Sequence, residues 1–96
     1  MMKHKSTAIE IAKMVGISPA RGMEAIIKAQ LITAVLKAIQ ENKITHLELA
    51  RRAKLPRSAV TGILSGSLQK ITIDRVLRLI EAVGLIAEIR IKKSAA

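Results

Sequence analysis

The sequence predicts an all-α bundle of four to five short helices closed by one C-terminal β-strand. Three observations predict it. Half of the 96 residues are apolar yet none is Phe, Tyr or Trp. The core is therefore built from Leu, Ile, Val, Ala and Met, a set that favours packed helices over a β-sandwich. Between Ser18 and Val83 apolar residues recur at helical spacing, punctuated by start and stop signals. After Gly84 the spacing falls to two, with Ala87, Ile89 and Ile91 alternating with Glu88, Arg90 and Lys92.

The elements follow in order. Thr7 to Glu10 has the spacing of a capping box and Gly16 is a stop signal, so residues 1–17 are either a short helix or an arm carrying Lys3, His4 and Lys5. Ser18-Pro19 reads as N-cap and N1 proline of a long helix reaching about Glu41, with Ile27, Leu31, Val35 and Ile39 as its apolar face. Asn42-Lys43 breaks it. Thr45 to Glu48 is a second capping box and opens a helix that ends near Ala53. Lys54-Leu55-Pro56 connects it to a third helix, Arg57 to about Ser65, stopped by Gly66. Thr72 caps a fourth helix that runs through Val83 and ends at Gly84. The division expected is an arm or short helix over 1–17, a helical domain over 18–84, and a strand with its tail over 85–96.

A lone strand leaves its backbone groups unpaired. It either packs on its own domain or pairs antiparallel with the same strand of another subunit, through Ala87, Ile89 and Ile91. A chain this short has a small core, and oligomerisation relieves that.

Seventeen Lys and Arg stand against 7 Asp and Glu, a formal charge of +10, which implies a polyanionic partner, either nucleic acid or an acidic membrane. Without aromatic rings, single-stranded nucleic acid has nothing to stack on, whereas duplex readout by a helix needs none. The chain has no cysteine, which excludes disulfides and thiolate metal sites. His4 and His46 are isolated, and no hydroxyl has a base beside it, so neither a metal, a cofactor nor an enzymatic activity is expected. Glu10 and Lys13 interrupt any leader-like apolar run, and no stretch has membrane-spanning length; the expectation is a cytoplasmic protein.

The informative stretch is ITHLELARRAKLPRSAVTGILSG, Ile44 to Gly66. Two short helices joined by a tight turn cross closely, which requires a small residue on the first, and Ala50 supplies it. Val60 and Ile63 provide the apolar face that meets it, with Leu49, Ala53 and Leu55 completing the wedge. Arg57, Ser58, Thr61 and Ser65 then share the outward side of the third helix. Arg pairs with guanine edges or phosphate, and Ser and Thr donate or accept at either; the alternative is a merely solvated face. Lys43, Arg51, Arg52, Lys54 and Lys70 surround it as candidate phosphate contacts. His46 opens the second helix, where it either meets a phosphate at the positive end of the helix dipole or is a plain exposed histidine.

These residues resemble the Xre family of helix-turn-helix proteins, which includes the lambdoid repressors and many antitoxins. In that motif, Ala at the fifth position, Gly at the ninth, Ile or Val at the fifteenth and a Leu-like residue at the eighteenth are typical. Counted from His46, this sequence has Ala50, Lys54, Val60 and Ile63. Lys54 replaces the turn glycine, so the turn either holds a left-handed Lys, at a cost of about 1 kcal/mol, or takes another form. Pro56 stands where a Ser or Thr usually caps the third helix, and Arg57 where Gln is common. KAQLITAVLKAIQEN, SGSLQKITIDRVLRLIEAVG and LIAEIRIKK extend the likeness toward HigA-type antitoxins and their stand-alone relatives, over Ser18 to Lys93. The resemblance implies a lambda-repressor-like fold and a homodimer that reads a palindromic operator in double-stranded DNA. It also implies two alternatives of use, an ordinary repressor or an antitoxin that binds a small toxin and regulates its own operon.

Overall fold

A computed structural model describes residues 16, 18–66 and 71–93. Four helices are formed among the described residues: α1 (Pro19–Glu41), α2 (His46–Ala53), α3 (Arg57–Leu64) and α4 (Ile73–Ala82). The helix or arm expected over 1–17 lies almost wholly outside the described residues, as does Lys70.

Three helices start on the hydroxyl caps that the sequence predicts. Ser18 accepts from Arg21 N at 3.3 Å, Thr45 from Glu48 N at 3.1 Å and Thr72 from Arg75 N at 3.3 Å. The fourth, α3, starts at Pro56, which has extended backbone and no side chain able to cap.

Three of the four helix ends share one device. At the end of α1 the backbone turns left-handed at Lys43 (φ 53°), and Ile44 N donates to Ile39 O at 2.9 Å. At the end of α2 the same happens at Lys54 (φ 56°), with Leu55 N donating to Ala50 O at 3.0 Å. At the end of α4 it happens at Gly84 (φ 80°), with Leu85 N donating to Ile80 O at 3.0 Å. The longer bond of this Schellman arrangement satisfies an orphan carbonyl of the last turn, and it requires one left-handed residue. Glycine takes that conformation freely; lysine takes it at about 1–2 kcal/mol.

The core joins all four helices. Leu49, Leu79, Val35, Val60 and Val76 are its largest fully buried side chains, with Ile32, Ala50, Ala53, Ile63, Ile71 and Ile80 around them. α1 lies against α4, and α2 lies against both α3 and α4.

The apolar face of α1 lies close to the expected one, with Val35 at its centre and Leu31 and Ile39 packed against the core. Lys28, Ile32, Val35 and Ala38 are buried, while Ile27, Leu31 and Ile39 are only half-buried. At about 100° per residue the two sets cover nearly the same arc, offset by about 20°; Leu31 and Ile39 pack against the core from it, while Lys28, Ile32 and Ala38 are the more fully covered. Lys28 is 4% exposed and its Nζ lies 3.4 Å from Glu24 Oε1, one turn earlier.

The C-terminal strand expected over 85–92 is not formed: residues 85–93 carry no ladder, and no strand occurs among the described residues. The reason is the one that governs any strand, since its backbone groups need a neighbouring chain. Ala87, Ile89 and Ile91 are accordingly exposed, Ile91 at 92%.

Candidate nucleic-acid interface

The wedge of α2 and α3 has the construction that its sequence predicts. Ala50 is 4% exposed and faces a core that includes Val60 (0%) and Ile63 (2%), so the two helices meet through a small residue and two branched ones. Leu49 and Ala53 fill the same core, and Leu55 and Leu64 pack against its edge. The turn is short because the left-handed Lys54 reverses the chain at once and Pro56 bars helix at Leu55.

This packing leaves one side of α3 to solvent. Arg57, Ser58, Thr61 and Ser65 are all exposed, and at about 100° per residue they span roughly 100° of the helix circumference, away from Val60 and Ile63. Arg57 stands at the first turn of α3 and has no ion pair or hydrogen bond with any described residue. Ser58 and Thr61 have free hydroxyls in the same sense. Ser65 differs, because its Oγ donates to Gly62 O at 3.0 Å and closes the helix end.

The surrounding cations divide into two groups. Lys43 and Lys54 are exposed at the two left-handed bends that flank α2, and neither has an acidic partner among the described residues. Arg51 and Arg52 are also exposed, but both are bound by Glu48. Arg51 Nε donates to Glu48 Oε1 at 3.2 Å and its Nη2 to Oε2, while Arg52 Nε donates to the same Oε2 at 2.9 Å. The capping box expected at Thr45 and Glu48 is therefore only half made, because the Glu48 carboxylate turns to the arginines rather than back to the Thr45 amide. Bonds from Arg51 first and Arg52 second hold that carboxyl below its ordinary value. Sequence reading took Glu48 as a cap and missed the clamp, although the spacings of three and four to Arg51 and Arg52 signal it. His46 is half-buried at the first position of α2.

No group of three or more residues among those described could hold a metal ion, and no described helix is long and apolar enough to cross a membrane. What the arrangement offers is a helix with an unpartnered arginine and two hydroxyls on its open side, and an exposed lysine at each of the two bends flanking α2. That is the equipment of a helix that enters a major groove.

A family model described as a helix-turn-helix domain matches residues 11–92. No curated protein and no solved structure matches the chain. The match spans the wedge, the long helix before it and the C-terminal segment after it, and on that extent the chain belongs to the helix-turn-helix domain family.

Proposed function

We propose that this protein is a sequence-specific regulator of transcription that binds duplex DNA as a homodimer and reads a palindromic operator with α3. The observation that carries the reading is the divided character of that helix: Val60 and Ile63 fix it in the core, while Arg57, Ser58 and Thr61 stand free on its open side. Arg57 reads a guanine edge, and Ser58 and Thr61 contribute at neighbouring bases or phosphates. Lys43 and Lys54 hold the helix in register on the backbone, with Arg51 and Arg52 as partly neutralised helpers. Two copies place their α3 helices in successive major grooves about 34 Å apart.

The test is binding of labelled duplexes drawn from a random-sequence selection, titrated against salt, for the parent and for Arg57→Ala. The parent is expected to enrich a palindromic motif and bind it with a steep salt slope. Arg57→Ala is expected to lose about 1–3 kcal/mol on that motif and to relax preference at one base pair in each half-site. Equal weak binding of both proteins to every duplex would overturn the reading.

A further inference from the structure

We propose that residues 85–93 pair antiparallel with the same residues of a second copy, on a two-fold axis through Ile89, and that Glu88 and Arg90 set this register. The inference rests on the homodimer of the preceding reading and specifies how it is built.

The segment has the two properties of a strand without a neighbour. Leu85 N still bonds back to Ile80 O, but from Ile86 onward no backbone hydrogen bond is made with any described residue. Its apolar side chains are unpacked as well, Ile86, Ile89 and Ile91 being 90%, 75% and 92% exposed. Unpaired amides beside the exposed Ile89 and Ile91, which share one face, form an edge that takes another strand.

The charge pattern selects a second copy as that strand and fixes how it lies. In an antiparallel pair, residues directly opposite share a face. To keep the stripe of Ala87, Ile89 and Ile91 opposite itself, the axis must pass through a residue rather than between two; Ile86 lies on the other face. An axis through Glu88 sets Glu against Glu, one through Arg90 sets Arg against Arg, and one through Ile91 sets Arg90 against Lys92. An axis through Ala87 pairs only residues 85–89 and leaves Ile91 outside the ladder. An axis through Ile89 sets Glu88 against Arg90 of the other copy twice, with no like charges opposite, and on the other face sets Ile89 against Ile89 and Ala87 against Ile91 twice.

A two-stranded ribbon needs a surface under one face. The chain provides one, because residues 87–90 border a cleft of about 320 Å³ that is also lined by Ile27 and Leu31 of α1 and Ile73 and Leu77 of α4. Leu77 is 43% exposed there, an apolar residue that the ribbon would cover.

The chain has no cysteine, so single cysteines report the register. Oxidised without DNA, Ile89→Cys is expected to form a disulfide-linked dimer in high yield. Ala87→Cys is expected to stay unlinked, since its two copies lie about 13 Å apart in this register. In sedimentation equilibrium Glu88→Arg is expected to weaken dimerisation about tenfold, and the double variant Glu88→Arg, Arg90→Glu to restore it. Both positions are exposed, so unchanged helical circular dichroism confirms folding in each variant. Efficient linking at Ala87 instead of Ile89, failure of the charge exchange to restore the dimer, or a parent that stays monomeric would overturn the proposal. A monomer that still binds its duplex motif would leave the DNA reading standing. A dimer linked at Ile89 that binds no duplex would do the reverse.

Discussion

The α2–α3 wedge and the segment 85–93 are both amphipathic, and they differ in where the apolar half finds its cover. Leu49, Ala50, Val60 and Ile63 are between 0% and 4% exposed because α1 and α4 close over them. Ile86, Ile89 and Ile91 are at least 75% exposed, in a segment where Ala87, Ile89 and Ile91 alternate with charged residues. A helix satisfies its own backbone and needs a neighbour only for its side chains; a strand needs one for both. Periodicity therefore specifies which face is apolar, and backbone chemistry decides whether one chain is enough.

Truncation should expose that difference first and most strongly. Leu49→Ala removes a fully buried side chain from the centre of the wedge and is expected to cost about 2–5 kcal/mol in urea unfolding followed by circular dichroism. Ile89→Ala, measured at a concentration where the chain is monomeric, is expected to change the same transition by less than about 0.5 kcal/mol. Comparable losses at the two positions would mean that the segment already belongs to the core of the single chain.

A smaller effect separates two helix ends that use the same turn. Lys54→Gly relieves a left-handed side-chain residue and is expected to stabilise the fold by about 1 kcal/mol, while Gly84→Ala imposes the strain and is expected to cost about as much. Space is not the issue at Gly84, since a Cβ there would meet nothing within 4 Å. Opposite shifts in the urea midpoint would confirm that φ alone decides.

The smallest effect concerns Glu48. Its carboxyl is held below its ordinary value by Arg51 and then Arg52. A group whose folded pKa is depressed adds stability that is complete above its unfolded value, about 4.3, and is lost as pH falls through the folded one. The parent should thus lose melting temperature more steeply than Glu48→Gln as pH drops below about 4.5. At neutral pH the same variant frees both guanidiniums, and its DNA salt slope should steepen by up to about two charges. Parallel melting curves for the two proteins in acid would show that the clamp adds nothing to stability.

Much of the fold was legible because its signals are local. Ser18, Thr45 and Thr72 cap their helices through contacts within three residues, and Pro56 and Gly84 act on their own backbone. The face of α1 was harder, since Ile26, Ile27, Leu31, Ile32, Val35, Leu36 and Ile39 surround much of the helix and several rows compete. The left-handed Lys43 went unread because nothing in a lysine announces positive φ; at Lys54 the resemblance raised it as one of two possibilities. In the candidate interface, exposure of Arg57, Ser58 and Thr61 follows from the positions of Val60 and Ile63. The commitment of Ser65 to the Gly62 carbonyl and of Glu48 to two arginines does not, because each depends on which of several reachable partners a flexible side chain takes.

The two left-handed lysines have a kinetic side. A glycine at Lys43 would leave the last carbonyls of α1, the negative end of its dipole, with no basic residue in the last turn, and one at Lys54 would leave those of α2 only Arg51 and Arg52, which Glu48 already binds. Lys43 and Lys54 set a positive charge there, at the two ends of the connection that carries α2, in a chain whose formal charge is already +10. Fixed surface charge of this kind accelerates diffusional encounter with a polyanion and fades as salt rises. In the proposed regulator, Lys54→Gly would be the sturdier protein and the slower one to find its operator, with the gap in association rate closing toward high ionic strength.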